Sequence, residues 1–564
     1  MIKQKNIIWW LIIVIVVIGI NIIASFFHLR FDLTQEKRYS LSEPVKSLLK
    51  DLKEPVQVEV FMKGDYPAGY RKLANSVDEF LQQCKEYSNG NLDYVFTDPL
   101  KGLSDSAAER FIDSVRYFYD ISPLTLEAPA KPGDEQIQKR VLPGAVIHYK
   151  DTAIGVNFLK GERAFGNEPE QLAALFNNVE STLEFKFASA IEKVTATVKP
   201  KIGYALGNGE GWGYNVNDAV RTLIKNYSFD TVNIRKPGYI PAFDALVILK
   251  PTVPFNENDK LKIDQYIMHG GKVFWMIDNM YAEFDSLYKS KGFIAYDRGL
   301  NLEDILFNYG VRINQTLLQD LQCDKLPQVA ANGQQRLVDW PFFPILNGTN
   351  HPISKNLDGV RTMFPTTIDT VEANGIKKTF LLQTSSNARL LEAPAKIDFQ
   401  YLQIAPDIKE FQKQNIPVAV LLEGRFSSLY KGRTGKAMTD TMAAYNYAFA
   451  ETGNSPGKMI VVSDGDIAMN SFSQQNGPLE MGTNIFTHYT YANKEFFVNS
   501  IDYLVNPSDI LQTRSKQYTL RLLDPKRIIE EKTKWQFINI GLPVILVIIL
   551  GFVYQQIRRY KYAK

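Results

Sequence analysis

An Asp-Gly-Asp triplet, Asp464 to Asp466, closes the apolar run MIVVSDGD at 459–466, and another acid, Asp278, closes KVFWMID at 272–278. Carboxylates gathered at strand ends do two kinds of chemistry: they hold a divalent cation, or one gives a proton while another takes one. The same residues also make turns, because an aspartate side chain accepts from backbone N–H groups just beyond it and caps a following helix. A glycine loop, Gly207-Asn208-Gly209-Glu210-Gly211-Trp212-Gly213, follows the strand-like KIGYAL at 201–206. Such loops cradle phosphates when they open a helix. The dinucleotide fingerprint, however, needs its third glycine where Trp212 stands, so a tight turn is the plainer expectation. Gly207, Asn208, Gly209, Glu210, Gly211, Asp278, Asp464 and Asp466 are the candidate ligand- or partner-binding residues.

Other chemistries lack their residues. GRTGKAM at 432–438 imitates a phosphate loop but puts Tyr430 at the leading glycine position and Ala437 where a Ser or Thr should bind magnesium. The five histidines, at 28, 148, 269, 351 and 488, show no paired spacing, so no metal site or cofactor motif is expected. Cys84 and Cys323 make no disulfide framework. A formal net charge of +3 over 564 residues gives no basic face for nucleic acid.

The elements that must position the candidates follow from periodicity. VQVEVF at 56–61 alternates as a strand, residues 70–87 form a helix with Val77, Phe80, Leu81, Cys84 and Tyr87 on one face, and LDYVFT at 92–97 is a second strand. Further strands lie in 140–159, and a helix over 168–196 closes this first domain, 29–197. From 198 to 525, KIGYAL, TVNI, ALVILKP and KVFWMID alternate with helices. Asn256 caps one of those helices, and Gly270 with Gly271 ends it. Strands alternating with helices predict a parallel sheet covered on both faces, with VAVLLEG at 418–424 and MIVVSDGD returning late around an insertion at about 312–415. Ligands of such sheets bind beyond the carboxyl ends of the strands, where the candidates would gather.

Two apolar runs bracket this material. Ile7 to Phe27 carries no charge, matches the ~20 residues a helix needs to cross a bilayer, and lacks a small-x-small cleavage pattern, so it reads as a retained anchor within residues 1–28. Phe537 to Tyr554 is a second uncharged run within 526–564, with Pro543 expected near the helix start. Both termini then lie on one side of the membrane. Lysine and arginine counts across each span nearly balance and do not orient it. Within the first span, Gly19, Asn21 and Ser25 are the small and polar residues that would pack against a neighbouring membrane helix.

The stalk RFDLTQEKRYSLSEP, VLPGAVIHYK, FDALVILKPTVPFNENDKLKIDQYIMHGGKVFWMID, LNLEDILFNYGVRI, VAVLLEGRFSSLY and VVSDGDIAMN together resemble the GldG family of gliding-motility-associated auxiliary components of ABC transporters. The resemblance spans nearly the whole chain. It implies an extracytoplasmic middle part in the inner membrane, cytoplasmic termini, and association with a GldF-like permease and a separate GldA-like ATPase. The second domain is also similar to one shared with an intraflagellar transport protein and, more distantly, to class I glutamine amidotransferases, but neither cysteine sits on the strand-to-helix turn that amidotransferase chemistry requires. The fold expected is therefore α/β: two extracytoplasmic domains, the second flavodoxin/amidotransferase-like, flanked by transmembrane helices. The function expected is a non-enzymatic transporter auxiliary component with membrane lipid and envelope partners. The alternatives are an envelope hydrolase or transferase using Glu210, Asp278, Asp464 or Asp466, and a purely structural tether.

Overall fold

The computed structural model describes residues 40–127, 138–161, 169–329, 333–403, 406–433, 435, 442–443, 447–475, 477–506, 509–515 and 525–562, together with Ile15, Val16, Ile18 and Gly19. Residues Met1–Lys516 form one compact unit and Gln517–Lys564 another. Most of the first apolar run, including Asn21 and Ser25, lies outside the described residues.

In the larger unit a first sheet has the order β2-β1-β3-β4, from β1 (Val56–Val60), β2 (Leu92–Phe96), β3 (Gly144–Tyr149) and β4 (Thr152–Asn157). The β1–β2 pair is parallel and the other pairs are antiparallel. Helices α1 (Glu43–Lys50), α2 (Ala68–Tyr87), α3 (Asp105–Tyr119) and α4 (Pro169–Thr195) accompany it. On α2 the residues Leu73, Val77, Leu81 and Cys84 recur every three or four positions and are all fully buried, which puts Cys84 in the core as its spacing predicts.

The second sheet contains β5 (Lys201–Leu206), β6 (Ser228–Asn233), β7 (Ala245–Leu249), β8 (Val273–Met276), β9 (Cys323–Val329), β10 (Gln335–Gly348), β11 (Ile376–Gln383), β12 (Pro417–Gly424) and β13 (Gly457–Val462). Their order is β9-β10-β11-β12-β13-β8-β7-β5-β6. The run β6-β5-β7-β8-β13 is parallel throughout, and β12, β11, β10 and β9 extend it with antiparallel pairing. The sheet is thus mixed rather than wholly parallel. VAVLLEG reads as one more parallel strand because its apolar run is buried on both faces, and that pattern carries no information about strand direction.

Alternation assigns the two faces of this sheet. Tyr204, Val247, Leu249, Phe274, Met276, Ile460 and Val462 face α5 (Asn217–Asn226), α7 (Asn493–Val505) and the first sheet through one continuous core. Ala205, Leu246, Ile248, Val273, Trp275 and Val461 face the other way, onto α6 (Glu257–Met268) and the segment Leu300–Tyr309. Helix α6 starts where a capping box predicts: Asn256 accepts from the Asp259 N–H at 2.9 Å and Asp259 accepts from the Asn256 N–H at 3.2 Å. Gly270, at φ 93°, lies just past its end.

The smaller unit is described through α8 (Pro525–Tyr562). Its stretch Glu531–Lys561 is long and apolar enough to cross a membrane, and the apolar window is uncovered by protein. At about 1.5 Å per residue, those 31 residues exceed a ~30 Å hydrocarbon core with turns to spare. The helix begins well before the apolar run, so Pro543 stands inside it rather than near its start. There the missing N–H leaves the Asn539 carbonyl without its intrahelical donor.

Candidate functional site

Around the parallel run the chain order of strands is second, first, third, fourth, fifth, and the order reverses between β5 and β7. Ligands of open α/β sheets settle beyond the carboxyl ends at such a reversal. The connections leaving β5, β7, β8 and β13 there carry the glycine loop, Lys250, Asp278 and the 464–466 triplet respectively.

The glycine loop is spent on its neighbour. The Asn208 carbonyl accepts from the Thr252 and Val253 N–H groups, both at 2.9 Å, and the Thr252 hydroxyl donates to the Gly209 carbonyl at 3.0 Å. Gly209 has φ 79°, and a Cβ there would lie 2.1 Å from Thr252 Oγ1, so both conformation and space require glycine. The Asn208 N–H, which a phosphate would need, donates instead to Glu210 Oε2 at 2.7 Å. Glu210 is buried, and that burial, only partly offset by backbone donors, raises its pKa above the usual carboxylate value. The loop carries its own carboxylate where an anion would sit.

The aspartates do converge. Asp278, Asp464 and Asp466 each bring one oxygen within 4.8 Å of the others, and Glu210 is not among them. Sequence reasoning missed what holds them. Lys250, the residue after the fully buried β7, projects its ammonium among them, with Nζ 2.5 Å from Asp466 Oδ1, 2.9 Å from Asp278 Oδ2 and 3.2 Å from Glu283 Oε2. Arg298 pairs with Glu283 at 2.5 Å and donates to the Asp278 carbonyl at 3.2 Å. Lys250 has φ 46°, a left-handed value uncommon for a residue with a side chain. Gly465 lies against it, since a Cβ there would stand 2.7 Å from Lys250 Cβ and 3.0 Å from its Cα. The signal in the sequence was a lysine directly extending the apolar strand ALVIL.

Backbone donors fix the remaining oxygens. The Gly465 N–H donates to Asp278, the Asp466 N–H to Asp464 Oδ1 at 2.7 Å, and the Met363 N–H to Asp464 Oδ2 at 2.8 Å. The bond from Asp466 back to Asp464 is the turn expected of Asp-Gly-Asp. Burial disfavours the Lys250 ammonium, but Asp278, Asp466 and Glu283 more than compensate and hold its pKa well above that of a free lysine. Burial, with Asp466 and Asp278 nearby, drives Asp464 well above the carboxylate range. Burial also raises Asp466, to about 7, against the opposing pull of Lys250.

The arrangement therefore neutralises itself. A divalent cation among the three aspartates would have to displace an ammonium already bonded to two of them. Asp466 sits near neutrality, as a general acid or base would. Yet neither the cavity of about 760 Å3 nor the one of about 410 Å3 elsewhere in the unit is lined by Lys250, Asp278, Asp464 or Asp466. Among the membrane-packing candidates only Gly19 is described; it is helical, and nothing lies within 4 Å of a Cβ placed on it. The thiol of Cys323, on β9, is pushed up by burial and by Asp339, Asp320 and Asp324, the opposite of an activated nucleophile.

A mixed α/β unit in a chain that also carries a helix long and apolar enough to cross a membrane fits the class of membrane-associated components. The chain is a member of the ABC-type uncharacterized transport system family, an auxiliary transporter family that matches residues 199–500. A domain of unknown function matches residues 35–148. No curated protein matches the chain. Similar solved structures include the mmIFT52 N-terminal domain (11% identity, TM-score 0.30, covering 54% of this chain and 97% of that one). PurLQS from Thermotoga maritima has 10% identity and a TM-score of 0.23, covering 54% and 100%, and a ThuA-like protein from Parabacteroides merdae has 9% and 0.24, covering 55% and 91%.

Asp466 yields a pH prediction. A carboxyl whose pKa rises on folding, from about 3.8 to about 7, binds more protons in the folded state, so its contribution is fully present below pH 4 and is lost as pH rises through 7. Three pK units correspond to roughly 4 kcal/mol across that window. Asp466→Asn should flatten this fall in stability between pH 4 and 7, read as the difference in denaturant midpoint between variant and wild type. Identical pH profiles for the two proteins would refute the assignment.

Proposed function

We propose that the chain is a non-enzymatic, membrane-anchored auxiliary subunit of a gliding-motility ABC transporter of the GldG type. It works beside a GldF-like permease and a GldA-like ATPase. In this reading residues 1–28 and 526–564 anchor it in the inner membrane with cytoplasmic termini, and the regions 29–197 and 198–525, including the insertion at 312–415, lie outside and contact a partner or ligand. The observation that carries the non-enzymatic part is the Lys250 ammonium held by Asp278, Asp466 and Glu283. Where an enzyme of this architecture keeps an open acid, base or metal, this chain has a satisfied ion network. Family membership and the uncovered apolar helix support a membrane-associated component of an ABC transport system, and the resemblance of the stretches quoted above to the GldG family supports the finer assignment. Gly207 to Gly211, Asp278, Asp464 and Asp466, largely buried, then hold the shape of the sheet's carboxyl end beneath the partner-contacting surface, and Gly19, Asn21 and Ser25 pack against the permease. An envelope hydrolase or transferase is the second reading, favoured by the near-neutral pKa of Asp466 alone.

Two experiments test the first reading. Affinity purification of the tagged chain in mild detergent should recover an ABC permease and its ATPase, and replacing 526–564 with an unrelated apolar helix should reduce that recovery; recovery of neither subunit from wild type would contradict the transporter role. Protease added to spheroplasts should digest the middle part and spare tags at both ends, whereas loss of the tags would reverse the orientation.

A further inference from the structure

A second feature lies away from the sheet ends, where the first sheet and its helices meet α5 and α7. There a cavity of about 760 Å3 opens, within the ~300–1,000 Å3 typical of small-molecule sites. Its charges are unevenly matched. Lys160 bridges Asp120 and Glu480, both at 2.6 Å, and Lys494 bridges Asp120 at 3.3 Å and Asp218 at 3.2 Å, so these two lysines use up three of the lining acids. Lys193 takes a fourth, Asp502, at 2.7 Å.

Two cations on α5 have no such partner. Among the described residues Arg221 forms no ion pair; its guanidinium lies 4.6 Å from the centre of the Tyr117 ring. Lys225 spends its ammonium on a backbone carbonyl, that of Phe118, at 2.8 Å. Arg221 and Lys225 are one helical turn apart and therefore face the same way. Lys225 counts as exposed over the whole residue, yet burial around its ammonium, reinforced by Lys494, Lys160 and Arg221 and opposed by Asp120, lowers its pKa below the ordinary lysine value. Positive charge is in local excess there. Tyr117 and Phe118, at the end of α3, remain 62% and 61% exposed, although aromatic rings of that size are usually covered.

We propose that this cleft binds a small organic anion, its carboxylate or phosphate received by Arg221 and Lys225 and its apolar body by Tyr117 and Phe118. Arginine supplies a planar fork for an oxyanion and lysine a point charge beside it. The exposed rings supply the area that would distinguish an organic anion from inorganic phosphate. The ligand would touch α3 of the first sheet's layer and α5 of the second's, so its binding would brace one against the other. This inference does not rest on the transporter assignment, and its test requires no other subunit.

The test is calorimetric titration of the purified full chain in neutral detergent with benzoate, phenyl phosphate and inorganic phosphate, each to about 10 mM, a range that detects millimolar affinity. Benzoate or phenyl phosphate should bind more tightly than inorganic phosphate, and the Arg221→Gln, Lys225→Gln double variant should weaken that binding at least about tenfold. Tyr117→Ala should weaken the aromatic ligands while leaving inorganic phosphate unchanged. Both residues are on the exposed side of α5, so the double variant keeps its core, and an Arg312→Gln, Lys409→Gln double variant, exposed and outside the cleft lining, controls for the loss of two charges. Which aromatic ligand binds assigns carboxylate or phosphate. Failure of both aromatic ligands to bind wild type, or equal binding by wild type and the double variant, overturns the proposal.

Discussion

One buried ammonium organises the carboxyl ends of the parallel strands. Lys250 leaves β7 in a left-handed conformation and reaches acids that follow β8 and β13, so three adjacent strands are tied together at one end by a single side chain. Without it, three aspartates whose oxygens lie within 4.8 Å would face one another in a medium that penalises each charge. The network also fixes what lies around it. Glu283 and Arg298 join from the segments beyond β8, Gly465 is confined to a residue without Cβ by the lysine backbone, and Thr252 and Val253, just past Lys250, pin the glycine loop. The two sets of candidate residues are thus neighbours on either side of one short connection.

That geometry separates shape from chemistry. The reversal of strand order provides a position for a ligand, as in nucleotide-binding sheets. The side chains that fill it turn inward: Glu210 Oε2 takes the amide a phosphate would use, and the Lys250 ammonium takes the place of a metal cation. A scaffold of this kind suits an auxiliary component of a transport system, the family to which residues 199–500 assign the chain.

Much of this was legible in the sequence because apolar periodicity and caps act locally. Asn256 announced α6, the spacing of Val77, Leu81 and Cys84 placed the thiol in a core, and the run FDALVILKP announced a buried strand. The direction of β12 was not legible, since a strand buried on both faces is apolar whichever way it runs. Nor was the ion network. Lys250, Glu283 and Arg298 meet partners of opposite charge up to 216 positions away, and no local pattern marks a pairing made only by the sheet's crossovers. The cleft between the sheets was invisible for the same reason, because Tyr117 and Arg221 lie on different helices and meet only in the fold.

The most direct test of a self-neutralised site is whether it has room for another cation. Thermal unfolding of the purified chain should be unaffected by Mg2+ or Mn2+, because the ammonium of Lys250 already holds Asp278 and Asp466. Lys250→Ala should unfold at a lower temperature and recover part of the loss when either ion is added, as the freed carboxylates bind it. A wild-type protein whose midpoint rises with Mn2+, and whose response is abolished by Asp278→Asn, would contradict the account and return the site to metal-dependent chemistry.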